Sequence, residues 1–400
     1  MAPRSTIYIC LPVCPSPCVD GSPQRDYIPK EVSSSPAFGT ASLFLTLIVD
    51  ATKCRHVVTA DIVGTYLNVL METFILMSID GSMVDFLVGS NKSKYAPFVT
   101  KVFGKRAIYL RLKRSLYSCA QSSLLWYKLL TKTLVKKMGS TLNPYDGCVA
   151  NKIIECKQAT IVWCVDDLKI SHVSKSVVTT LVHQIESLFG KMTGMSGDLH
   201  TYVGMEIEFK EGEVHIFNND YLLETIELFG EELGASSATP VKSSLFQVTP
   251  DHPLLNEKKK TIFHSCVAKL LYTATRGRLD ILTNIAFLTT RVQSPSINDW
   301  GKLKRCLQNI QGPLDLKLTL VADSLVMCKT WVDTSYAPRS DMRGRTGGCL
   351  SFGKGMIISR SSKQKLNSKS STEAELIGVI DVLPYSLWKP LLSSVPRLQS

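Results

Sequence analysis

Two short runs rich in Ile and Val, Thr160-Ile161-Val162-Trp163-Cys164-Val165 and Leu168-Lys169-Ile170-Ser171-His172, meet at the adjacent acids Asp166 and Asp167. β-Branched residues favour strands and Asp favours turns, so the pattern predicts a β-hairpin with carboxylates at its tip. A second β-branched run, 57–62, delivers Asp61 to a strand end, and Gly64-Thr65 then allows a sharp turn into a helix carrying Tyr66. Residues 202–209 and 214–217 alternate around Glu211-Gly212 as another hairpin. Helical spacing shows elsewhere. Leu43, Leu47 and Ile48 predict a helix over 42–53 with Ser42 as its N-cap, and Leu124, Leu125, Leu129, Leu134 and Val135 give 118–138 one apolar stripe. Further helices are expected over 177–189 and from the Asn218 cap to Phe229. Strands and helices thus mix between 20 and 235, which is an α+β pattern.

The flanks read differently. Pro3, Pro12, Pro15, Pro17 and Pro23 make residues 1–24 irregular, while three prolines and Lys258-Lys259-Lys260 mark 236–260 as a linker. Residues 264–311 form a helical unit with Trp300, Leu303 and Leu307 on one face. Beyond it, 329–333 is a strand, 347–359 a hairpin around Gly353-Lys354-Gly355, and Ser371 or Thr372 starts a helix with Glu373 and Glu375 in its first turn.

Charge and cysteine usage narrow the function classes. Of the 400 residues, 46 are Lys or Arg against 34 Asp or Glu, a net charge of +12 that favours a polyanionic partner such as nucleic acid. The stretch 101–114 concentrates it, with Lys101, Lys105, Arg106, Arg111, Lys113 and Arg114 among Phe103 and Tyr109, suited either to a phosphate backbone or to a solvated strand face. Twelve cysteines without framework spacing suit reduced thiols in the cytosol or nucleus, and Cys10, Cys14 and Cys18 lack the fourth partner zinc needs. The longest aliphatic run, 43–49, is too short to span a bilayer, so no membrane association is expected.

Adjacent carboxylates repel, and a site that gathers several usually needs a divalent cation. Alone, Asp166-Asp167 reads first as an ordinary solvated turn and Asp61 as a cap. Their order along the chain carries more. The sequence resembles the pol region of copia-type retrotransposons, covering the reverse transcriptase and the start of its ribonuclease H. The carriers are Asp20-Gly21-Ser22-Pro23-Gln24-Arg25-Asp26-Tyr27, the stretch 61–70, Leu116-Tyr117-Ser118-Cys119-Ala120-Gln121-Ser122, Val165-Asp166-Asp167, and Tyr202-Val203-Gly204-Met205-Glu206. Thr275-Arg276-Gly277-Arg278-Leu279-Asp280-Ile281, Trp331-Val332-Asp333, Ser361-Ser362-Lys363-Gln364 and the run from Ser371 to Glu375 continue it.

The resemblance implies reverse-transcriptase fingers and palm with an antiparallel sheet over 19–235 after an irregular 1–18, and a linker over 236–262. A helical thumb and connection over 263–320 and an incomplete ribonuclease H-like α/β domain over 325–400 would follow. It implies Mg²⁺, or Mn²⁺, at Asp61, Asp166 and Asp167. Tyr66, Tyr117 and Gln121 would border a deoxynucleoside triphosphate, with an RNA template and a DNA primer or RNA–DNA hybrid as partners. Asp333 and Glu375 match two ribonuclease H carboxylates, Glu373 being the weaker candidate, and the family's further Asp lies beyond Ser400, so no hydrolysis is expected. Cys164 stands where the family has Tyr and Ser118 where it has Gly, and its basic finger residues fall in 1–18, where only Arg4 is basic. These departures frame an alternative: an inactive retroelement remnant that only binds nucleic acid.

Overall fold

The computed structural model describes residues 6–8, 22–102, 104–248, 252–336 and 343–387. At its centre is a six-stranded antiparallel sheet in the order Met192–Ser196, His56–Ile62, Asp167–His172, Lys157–Cys164, Val149–Ile154, Thr141–Leu142. Successive side chains on a strand point to opposite faces, so each run of apolar residues feeds two cores. Ile62, Ile161, Trp163, Leu168 and Ile170 meet Trp126, Leu130, Val178, Leu181 and Ile185 on one side. Those partners come from helices Ser122–Lys132 and Lys175–Phe189. Val149 and Val162 face the other way, toward Leu43 and Leu47 of helix Thr40–Thr52. The sheet is therefore covered on both faces.

A smaller sheet joins Leu76–Asp80, Lys105–Arg111 and Thr100–Val102 antiparallel, and packs Ile79 and Ile108 on Val84. Thr6–Tyr8 adds to it in parallel, so the expectation of irregular backbone throughout 1–24 is corrected at those three residues and at the turn of 3-10 helix Ser22–Asp26. Cys10, Cys14 and Cys18 lie outside the described residues.

A third sheet runs Leu199–Tyr202, Met205–Lys210, Glu213–Phe217, Leu318–Ala322, Gly353–Lys354. Tyr202 belongs to the strand before the predicted hairpin, because Val203 and Gly204, both at positive φ, turn the chain there. Helices Asn219–Phe229, Glu257–Ala274, Leu282–Leu288 and Ile297–Gln311 enclose their own core around Phe263, Leu270, Leu303 and Leu307. The Lys258-Lys259-Lys260 run is the first turn of Glu257–Ala274 and not linker: Asn256 caps the helix by accepting from Lys259 N at 2.9 Å, and Lys259 pairs with Glu231. Last, Lys329–Ser335, Arg345–Ser351 and Ile358–Lys363 form a three-stranded sheet against helix Ser371–Leu387.

Two caps differ from expectation. Helix Thr40–Thr52 starts after Gly39, whose N–H donates to Asp146 Oδ2, and Ser42 is buried inside the helix. At the last helix Ser370 accepts from Glu373 N while the Glu373 carboxylate accepts from Lys369 N, a reciprocal cap that leaves Glu373 a structural part.

Candidate active site

Strand register brings the acids together. Asp61, next to last in His56–Ile62, lies directly opposite Asp167, and Ile62 N donates to Asp166 O at 3.3 Å. Directly opposed residues hold their Cβ atoms about 4.5–5.5 Å apart. Alternation turns Asp61, Asp167 and Cys164 to one face, away from Ile62, Leu168 and Trp163. A position a hundred residues from the hairpin thus completes its acidic tip.

The tip is strained and held. Cys164 pairs with Asp167, which leaves Val165-Asp166 as the turn, and Val165 takes φ 57°, a conformation glycine enters freely and a β-branched residue resists. Trp126, buried in the helix beneath, donates its indole N–H to Val165 O at 2.6 Å. Backbone strain of this kind costs about 1–3 kcal/mol and persists where packing imposes it.

Electrostatics there run one way. Burial and then the Asp166 and Asp61 carboxylates push Asp167 up to about 6. Burial also raises Asp166, with Asp61 adding to the rise and backbone amides of Asp166 and Asp167 opposing it. Among the described residues no ion pair involves Asp61, Asp166 or Asp167. Nor, among the described residues, does any group of three His, Cys, Asp or Glu side chains converge closely enough to hold a metal ion. The donor set still suits a hard cation. Mg²⁺ usually takes one or two carboxylates and fills its octahedron with water and phosphate oxygens, and crowded, partly buried carboxylates are what it relieves.

Tyrosines wall the same space. Gly64, at φ 68°, reverses the chain after Asp61, Thr65 Oγ1 donates to Ile62 O at 2.6 Å, and Ser115 Oγ donates to Tyr66 O at 2.6 Å. Tyr66 then meets the Tyr117 ring edge to face at 4.6 Å. Burial raises both phenols; Asp166 adds to the rise of each, and Asp61 to that of Tyr117. Gln121 is turned elsewhere, accepting from Thr73 Oγ1 at 2.8 Å. Ser118 adopts φ 68°, which supplies the physical reason for a glycine at this point.

Residues missed in the sequence complete the picture. A cavity of about 440 Å³ beside Tyr66 is lined by Arg25, Lys30, Ser118 and Ser123. Fully buried Gln24 docks that segment, its Oε1 accepting from Ala120 N at 2.8 Å. Arg25 and Lys30 thus bring positive charge to a cavity that Tyr66 shares; Arg25 lies inside the Asp20–Tyr27 motif and Lys30 just past it, which was the available signal. Across the hairpin, Arg276 opposes the rise that burial and the two acids give the Cys164 thiol, and Tyr272 bonds Val203 O.

Asp333 and Glu375 are placed without a shared site. Asp333 sits exposed in Lys329–Ser335, whose alternation puts it on the face opposite Val332 and Thr334. Those two meet helix Ser371–Leu387 at Gly378, where an added Cβ would collide with Thr334 Cγ2. Glu375 is exposed on that helix.

Acids at a strand end and at a neighbouring hairpin tip thus meet on a helix-backed antiparallel sheet. The sequence profile of the reverse transcriptase (RNA-dependent DNA polymerase) family matches residues 19–243, and the chain belongs to that family, in its copia-type retrotransposon branch. The retrovirus-related Pol polyprotein from transposon TNT 1-94 of Nicotiana tabacum is 25% identical over 72% of this chain and 22% of its own length. The Ty1-ER2 Gag-Pol polyprotein of Saccharomyces cerevisiae is 24% identical over 69% of this chain and 16% of its own, so the chain spans about a fifth of such polyproteins. An uncharacterized mitochondrial protein of Arabidopsis thaliana is 26% identical over 53% of this chain and 86% of its own length. Among solved structures, a foamy viral protease-reverse transcriptase in complex with double-stranded DNA shares the fold, with a TM-score of 0.51 at 12% identity over 96% of this chain and 56% of that one. Among the described residues no helix is long and apolar enough to cross a membrane.

Proposed function

We propose that this chain is an RNA-directed DNA polymerase unit that extends a DNA primer on an RNA template by nucleotidyl transfer. The register of Asp61 against Asp167, beside Asp166, carries the reading. Asp61 and Asp166 are the residues to hold two Mg²⁺ or Mn²⁺ ions, with Asp167 completing the acidic set. Bound divalent ions activate a primer 3′-hydroxyl and neutralise the leaving pyrophosphate.

The chain's own residues do the rest. Tyr66 and Tyr117 present a stacked-edge wall beside the acids, shaped to border a sugar and base. Arg25 and Lys30 bring positive charge to the adjoining cavity, where a deoxynucleoside triphosphate needs it. Trp126 fixes the tip through Val165, so the acids keep their aim without reorganising. The helical unit serves as thumb and connection, and residues 325–400 as a ribonuclease H-like remnant in which Asp333 and Glu375 do not act together.

Primer extension on a poly-rA template with Mg²⁺ tests this, comparing the chain with Asp166→Asn. Incorporation that depends on the acid is expected; incorporation equal in both, or absent from both, rejects it. The left-handed Ser118 favours the second reading, a remnant that binds nucleic acid without turnover. Its signature is hybrid binding at low salt with no incorporation.

A further inference from the structure

Away from the acids, the helical unit holds a cavity of about 320 Å³ between the 240–245 segment and helix Ile297–Gln311. We propose that it is a second anion site, one that takes a phosphate group through Lys242, Lys302 and Arg305. Its volume falls within the roughly 300–1,000 Å³ range of small-ligand sites. All three cations line it, together with Ser244 and the amides of Asn298 and Gln308, and among the described residues no carboxylate does.

The neighbours show that this imbalance is local. Acids on the neighbouring elements are paired with other cations: Glu231 with Lys259 and Lys304, Asp299 with Arg291, Asp280 with Arg278. The hydrogen bonds of Lys302 and Arg305 go to neutral groups, although the Asp299 carboxylate is near enough to Lys302 to oppose the lowering that burial gives its ammonium. Lys302 Nζ donates to Gln247 O at 2.8 Å and lies 4.7 Å from the Phe287 ring centre, while Arg305 Nη2 donates to Thr239 Oγ1 at 3.0 Å. Buried Arg305 Nε has no acceptor among the described residues. The 240–245 wall is itself fixed, since fully buried Asn284 donates to Pro240 O at 3.0 Å. A preformed set of donors with no carboxylate among its described lining residues is what phosphate oxygens complete.

The phosphate could belong to a free polyphosphate or to a nucleic-acid backbone, and two arms separate them. Calorimetry with pyrophosphate is run on Arg25→Gln/Lys30→Gln protein, so that the cavity near Tyr66 does not report. Saturable binding is expected, weakened at least tenfold by adding Lys302→Gln/Arg305→Gln and unchanged by adding Lys304→Gln, whose lysine serves Glu231. The second arm measures hybrid affinity against salt; a backbone phosphate predicts that Lys302→Gln/Arg305→Gln lowers the log–log slope by about two. Either result supports the site and names its source. No pyrophosphate binding together with an unchanged slope overturns it. If the double variant fails a thermal-melt check, Lys242→Gln, at the exposed rim, is read in its place by the same criteria.

Discussion

One strand carries two opposite treatments of charge. Lys169 and Asp167 lie two residues apart on Asp167–His172 and on the same face of the sheet. Lys169 is fully buried and paired with Asp50, fully buried on helix Thr40–Thr52, while Arg55 reaches the same carboxylate at 3.4 Å and Thr160 Oγ1 at 3.2 Å. Burial pulls the Lys169 ammonium below the ordinary lysine range, against the Asp50 carboxylate that holds it up. At Asp167 the neighbours are Asp61 and Asp166, and nothing compensates. Balanced charge locks helix to sheet. Unbalanced charge, a few ångströms further along, is left for something that binds.

The sharpest way to break this contrast is to unbalance the first cluster. Asp50→Leu should cost about 3–5 kcal/mol in urea unfolding, because it strands Lys169 without a partner. Asp50→Leu/Arg55→Met/Lys169→Met, which removes both cations that face Asp50, should recover most of that loss, since apolar replacement of a buried charge cluster is often neutral or stabilising. A triple variant as unstable as the single one would mean the stranded cations are not the cause.

At the tip the signs reverse. Asp166→Asn should lower incorporation about a hundredfold or more, the scale of losing a main electrostatic stabiliser, yet leave the melting temperature of metal-free protein unchanged or higher. A drop in melting temperature like that of the Asp50 variant would place Asp166 among the structural charges.

Acidity and metal should reveal the same imbalance more gently. The folded-state pKa of Asp167 is raised, so its contribution to stability is complete below the unfolded value near 4 and is lost as pH rises through about 6. Melting of metal-free protein should therefore decline across that window, and less so in Asp167→Asn. At pH 7, Mg²⁺ at ten times its Kd should return about 1.4 kcal/mol, read as a higher midpoint. The smallest effect is expected at Ser118. Ser118→Gly should stabilise by about 1 kcal/mol by relieving a left-handed non-glycine residue, measured by denaturant midpoint.

Local pattern made much of this legible. The 164–167 hairpin, the strand ending at Asp61 and most helices follow from periodicities of two and 3.6, which neighbouring residues alone produce. Errors arose where a distant partner decides. Ser42 looked like a cap, but Asp146 reaches across to Gly39 and the helix starts earlier. The lysine run at 258–260 looked like linker, but Asn256 and Glu231 draw it into a helix. Arg25 and Lys30 sit in a proline-flanked stretch, and the buried Gln24 contact with Ala120 helps to carry them to the cavity beside Tyr66.

Sequence by itself determined the strand that ends in twin acids, the order of motifs that marks the family, and the basic balance that calls for a polyanion. Tertiary structure alone decided which charges are structural and which are free to act. Lys169 reads as a polar break in a strand until Asp50 arrives from a helix, and Asp61 reads as a cap until the sheet sets it against Asp167. The reason is range: side-chain alternation is fixed by adjacent peptide units, whereas the energy of a charge depends on every group that folding brings within a few ångströms.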